Sequence, residues 1–190
     1  MGDETGQPCH YSAMSPTALA QPDGAAAITV LLVRVAGHSL ALRQSEVVEI
    51  LPLPRLAAVP DAPPILAGAF SLAGQAVFVL PLAGLLGLSG PAEGTALYHH
   101  LLLLPAKGSD ARFALCVDRV TDRLAAEPPQ PVPPGESFNG CVEAEIRHGD
   151  ALVPLLSVQR LLTFYEREKL LAFAARASSR DALFQPAEPG

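Results

Sequence analysis

From Ile28 to about Phe164 the apolar residues come in short runs broken by turn formers, and no run keeps a helical period for long. ITVLLVRVAG opens the series, SLAL and EVVEIL follow, and then come AVFVLPL, HHLLLLPA, RFALCVDRV and DALVPLLSV. Each run is rich in Leu or in β-branched residues, which suit a pleated, half-buried backbone. The gaps hold Ala36-Gly37-His38, Pro52-Leu53-Pro54, Asp61-Ala62-Pro63-Pro64, Lys107-Gly108-Ser109-Asp110 and His148-Gly149-Asp150. Short strands punctuated by Pro and Gly predict a small barrel or sandwich. Most gaps are too short for a crossover helix of about a dozen residues, which argues against a parallel sheet.

Two connectors are rich in proline, PLPRLAAVPDAPP at 52–64 and PPQPVPPG at 128–135. Proline fixes φ and has no N–H, so these stretches cannot lie inside a central ladder; they are expected to run along sheet edges or to leave the barrel. The rhythm changes in SVQRLLTFYEREKLLAFAARA, residues 157–177. There Val158, Leu161, Leu162 and Tyr165, then Leu170, Leu171 and Ala174, recur at three-to-four spacing. This predicts an amphipathic helix packed on the strands, with Ser157 as a candidate cap. Residues 1–26 and 185–190 show no hydrophobic period and read as tails. The expected organisation is a strand-rich unit over 27–165 followed by a C-terminal helix over 166–184.

Composition narrows the function. Apolar residues make up 49% of the 190 and charged residues 17%, enough to build a core and too few charges for a disordered chain. The net charge is −6, and no Lys/Arg cluster offers the cationic footprint that nucleic acid or an anionic membrane requires. Direct membrane insertion is not expected either, because the longest apolar stretches, 77–88 and 97–105, are too short to span a bilayer. Met1-Gly2-Asp3-Glu4 does not read as a secretory leader. Cys9, Cys116 and Cys141 are odd in number and lack a CxxC spacing, so neither a disulfide framework nor a zinc site is suggested, and a reduced cytoplasm fits best.

Catalysis finds little support. Cys116 sits in an alternating strand with no nearby His, and His99 and His100 are adjacent, so a strand sends them to opposite faces. No nucleophile elbow, zincin helix, phosphate-binding loop or dinucleotide fingerprint is present. No catalytic residue, cofactor or metal is expected. Asp118 in CVDRV reads as a local turn or edge stabiliser.

Several segments, taken in order, resemble the CheW family. Val47-Val48-Glu49-Ile50, a Pro-bearing connector and GAFSLAG match the family's V-x-E-I strand and G-V-x-N-L-R-G segment; QAVFVLPLAGLLGL follows where the family has a strand ending V-D-L. FALCVDRVTDRL resembles the family's G-I-x-V-D-x-V-x-D-V-L strand, and FNGCVEAEIRHGDALVPLLSVQRLL its last hairpin. The resemblance covers about 27–165. It implies a mainly β fold of two intertwined five-stranded SH3-like barrels around a shared core, with the C-terminal amphipathic helix added.

The same resemblance implies a non-enzymatic adaptor with two partners, the regulatory domain of a CheA-type histidine kinase and the cytoplasmic tip of a chemoreceptor. Matched by position, the partner-binding residues are Val47, Glu49, Gly68, Ala73, Gly74, Ala114 and Val120. The chain departs from the pattern in several places. Ala73 stands where the family has Arg, Arg123 where it has Val, and Pro81 and Ser157 where it has acids. A second reading is a one-armed kinase-binding modulator with weak or no receptor binding, favoured by the missing arginine at Ala73.

Overall fold

Eleven strands and two α-helices make up the described part of the computed structural model, which comprises residues 27–90, 98–106, 111–127, 129–133, 137 and 140–184. The expected tails at 1–26 and 185–190 lie outside the described residues. The strands are β1 (Ile28–Val35), β2 (His38–Arg43), β3 (Glu49–Pro52), β4 (Gly68–Leu72), β5 (Gln75–Pro81), β6 (His100–Leu103), β7 (Arg112–Val117), β8 (Arg119–Ala126), β9 (Gln130–Pro131), β10 (Val142–His148) and β11 (Ala151–Leu156). The helices are α1 (Leu82–Leu85) and α2 (Phe164–Phe184).

They form two sheets, one in the order β8-β1-β2-β11-β10-β9 and the other β3-β6-β7-β5-β4. One five-strand plan underlies both. In each sheet a hairpin, β1–β2 or β4–β5, continues through a parallel pair, β2/β11 or β5/β7, and then through two antiparallel pairs. The first sheet adds β8 outside β1; in the second, an isolated bridge between Ala57 and Ala69 occupies the matching place outside β4. The chain builds β1 and β2 in the first sheet, five strands in the second, and then returns to the first. This is the intertwined pair of SH3-like barrels, with one sheet a strand larger than expected.

The two parallel pairs correct the expectation of none. That expectation considered only gaps between neighbouring runs, whereas β5 and β7 are joined through all of α1 and β6, ample length for a crossover. The proline connectors do run at edges: Ala57 bridges to β4, and Gln130-Pro131 forms the outermost strand beside β10.

Three apolar clusters explain why many strands read as continuous apolar runs. Val30, Leu32, Ala41, Ile146, Val153 and Leu155 fill the first barrel, and Val77, Val79, Leu101, Leu103 and Ala114 the second. The alternate residues Val33, Val35, Leu40, Leu42, Phe78, Leu80, Leu102 and Leu115 meet in a core shared between the sheets. Strands buried on both faces lose the alternating signature. In β10, a register irregularity between Val142 and Ala144 moves the strand from one cluster to another. Val142 joins the shared core opposite Leu156, and Ala144 faces the first barrel opposite Leu155.

Helix α2 begins at Phe164 rather than near Ser157. Ser157 is buried ahead of a separate 3-10 turn and makes no side-chain cap. The cap is Thr163: its hydroxyl accepts the Glu166 N–H at 3.2 Å, and Glu166 Oε2 accepts the Thr163 N–H at 2.9 Å. This reciprocal pair is a capping box, and the T-x-x-E spacing was there to be read. Leu170, Phe173 and Ala174 then sink into the shared core, with the Phe173 ring edge-on to Phe78 at a centroid distance of 5.9 Å.

Candidate functional site

Strand β3 is an outer strand of the second sheet, and it presents apolar side chains to solvent. Val48, just ahead of the strand, is 63% exposed and Ile50 within it 40%, and Glu49 between them is exposed as well. Val47, ahead of the strand, is half-buried against the shared core. The Leu53 N–H donates to the His99 carbonyl at 3.0 Å, so alternation turns the nitrogen of Pro52 toward the open edge. A missing donor costs nothing there, and it discourages addition of another strand. The edge thus offers side chains more readily than backbone. The pattern-matched positions pointed to Val47 and Glu49; they missed Val48 and Ile50, whose apolar character reads as core unless the strand is known to be outermost.

The other expected residues occupy different places. Gly68 has φ +152 where β4 passes the Ala57 bridge, and a Cβ there would lie 2.8 Å from the Ala57 carbonyl oxygen. Ala73 and Gly74 form the two-residue loop between β4 and β5, with φ +49 and +77. Two positive φ values mark a type I′ turn, which Asn-Gly suits better than Ala-Gly. Ala114 is wholly buried in the second barrel, beside Val79 and Leu103. Val120 lies in the other sheet, opposite Val33, half-buried against the shared core. Gly68, Ala73 and Gly74 therefore share one hairpin and Val47 and Glu49 share one edge, whereas Val120 belongs to the first barrel.

Asp118, the single residue between β7 and β8, joins the two barrels. It is 7% exposed, and its Oδ2 accepts the Ala36 N–H at 2.7 Å while its own N–H donates to the Arg34 carbonyl at 3.0 Å. Ala36 is itself buried, with φ +48 in the β1–β2 turn. The carboxylate thus holds a strained turn of one sheet from the end of a strand in the other, and His99 Nε2 stands 4.0 Å from its Oδ1. Nearby, burial and then the Asp118 charge push the Cys116 thiol up to about 11. A nucleophilic cysteine needs the opposite shift. Among the described residues no group of three or more His, Cys, Asp or Glu side chains is placed to hold a metal.

Two grooves flank α2. One of about 280 Å³ runs between Glu46, Leu80, Phe113 and the helix residues Arg167, Leu170 and Leu171. The other, about 750 Å³, lies between the 57–61 loop, β4 and the helix residues Phe173 and Arg176. Both are mainly apolar, and among the described residues neither is lined by Cys or His.

A family model described as the CheW-like domain matches residues 29–166. Among solved structures, the scaffolding protein TtCheW from Thermoanaerobacter tengcongensis is similar, with a TM-score of 0.67 and 18% identity over 80% of this chain and 97% of that one. At that identity the likeness speaks to fold. No curated protein matches the chain by sequence.

Proposed function

The chain belongs to the CheW-like domain family, and on that premise we propose that it is a non-enzymatic signalling adaptor that couples a CheA-type histidine kinase, through the kinase's regulatory domain, to a chemoreceptor tip. The observation that carries this reading is the solvent-facing β3 edge, where Val48 and Ile50 stand exposed on either side of Glu49. Val47, Glu49 and Val120 flank the docking surfaces. Gly68, Ala73, Gly74 and Ala114 shape the strands and the hairpin beside them. No cofactor takes part, and the protein works in the cytoplasm. Among the described residues no helix is long and apolar enough to cross a membrane.

The test is binding of the full chain to the receptor tip and to the kinase regulatory domain, compared with Val48→Lys and Ile50→Lys. Each substitution is expected to weaken one of the two complexes about tenfold, roughly 1.4 kcal/mol. Wild-type affinity in both variants, for both partners, would remove β3 from the interface. Binding to the kinase alone would select the one-armed modulator, a reading that rests on Ala73 in place of the family's arginine.

A further inference from the structure

The open edge of the first sheet carries unpaired positive charge in a protein whose net charge is −6. Strand β8 is the outermost strand of that sheet and holds Arg119 and Arg123, both exposed. Arg119 stands directly opposite Arg34 in the β1–β8 ladder. Like charges facing across a ladder oppose pairing of the strands. Here the Arg34 guanidinium is drawn aside to the Ser39 hydroxyl at 2.7 Å. Asp122, between Arg119 and Arg123, spends Oδ1 on the backbone N–H of Arg123 at 2.7 Å and keeps its charge, so the strand carries two positive charges against one negative. Among the described residues neither Arg119 nor Arg123 has a side-chain hydrogen bond or an ion pair.

The register also decides which surface Arg123 joins. Val120 pairs with Val33 and Arg123 with Leu31, while the intervening irregularity takes up Thr121. Val33 and Leu31 lie on one face of β1, so Val120 and Arg123 lie on one face of β8, while Arg119, opposite Arg34, lies on the other face of the same edge strand. A permanent charge with a fork of donors therefore stands beside an apolar residue of the proposed docking surface, on the last strand of the sheet.

We propose that Arg119 and Arg123 form a specificity-determining cationic edge, which selects a receptor tip carrying carboxylates beside its apolar contact residues. The inference rests on the adaptor reading and adds the charge of the partner to it. Exposed ion pairs are each worth a few-fold in affinity, and they act mainly on encounter rate and choice of partner. Salt screens them over about 10 Å at 0.1 M.

The test measures binding of the full chain to the receptor-tip fragment at low and high salt. It compares wild type, R119Q/R123Q, R119E/R123E and the control R176E, which reverses an exposed charge on α2. Thermal melts check that each variant is folded. The expected result is roughly a tenfold loss for the double reversal and a smaller loss for the double glutamine variant. Both losses shrink at high salt, and R176E stays at wild-type affinity. Equal affinity in wild type and R119E/R123E overturns the inference while leaving the adaptor reading intact. So does an equal loss in R176E, which would report net charge alone, and so does a loss confined to the kinase regulatory domain. A wild-type chain that binds neither partner would instead defeat the adaptor reading itself.

Discussion

Replacing Asp118 with alanine is expected to destabilise both barrels together, although the residue belongs to no strand. The carboxylate is 7% exposed and accepts the Ala36 N–H at 2.7 Å, so its removal strands a buried donor. Losing a hydrogen bond to a charged acceptor in this way costs about 1.5–3 kcal/mol. The turn at Ala36, φ +48, also loses the contact that holds it in a conformation an L residue resists. For a domain of this size each kcal/mol corresponds to about 2–4 °C, so a fall in Tm of roughly 3–12 °C is expected. Asp118→Asn keeps a side-chain carbonyl for the Ala36 N–H and should lose about half as much. Circular-dichroism melts, with urea titrations to check that the m-value is unchanged, give the comparison. A Tm for Asp118→Ala within 1 °C of wild type (about 0.3–0.5 kcal/mol), or a loss in Asp118→Asn as large as in Asp118→Ala, would refute the reasoning.

Other consequences follow from single contacts. The Cys116 thiol is held up to about 11 against an ordinary 9.0, so the folded chain keeps a proton that the unfolded chain releases. Its contribution to stability is complete below pH 9 and declines as the pH rises toward 11, and Cys116→Ala should flatten that part of a stability–pH curve. Gly68→Ala would press a Cβ against the Ala57 carbonyl oxygen at 2.8 Å with φ at +152, and a loss of about 1–3 kcal/mol in denaturant titration is expected. Ala73→Gly, at φ +49 in the hairpin turn, should instead stabilise by about 0.5–1 kcal/mol, and an unchanged urea midpoint would argue against the turn assignment. Thr163→Ala removes the hydroxyl side of the α2 capping box and should lower stability by about 0.5–2 kcal/mol, with fraying at the first turn visible in amide exchange.

Much of this architecture is legible in the sequence, because the turn formers are local. Ala36-Gly37 closes its hairpin where the pattern puts it, and the proline connectors settle on edges because proline cannot donate. The parallel pairs β2/β11 and β5/β7 were not legible. They join segments far apart in the chain, and no spacing rule between neighbouring runs reports on them. The helix start was misplaced for a different reason. The apolar period runs on through Val158 and Leu161 into a separate 3-10 turn, and only the Thr163–Glu166 capping pair marks the true beginning. For the proposed docking surface, matching residues by position named Glu49 and Val120 and did not name the exposed Val48 and Ile50. An apolar residue in a strand looks like core until the order of the sheet shows that the strand has only one neighbour.

The central claim is that one chain holds two partners, and calorimetry tests it directly. The full chain is titrated with the cognate kinase regulatory domain, and the receptor-tip fragment is then added to the complex. Interfaces of standard or smaller size predict saturable binding at micromolar affinity or tighter for each partner, the second binding without displacing the first. Displacement of the kinase domain by the receptor tip, or no heat with either partner, would contradict the account.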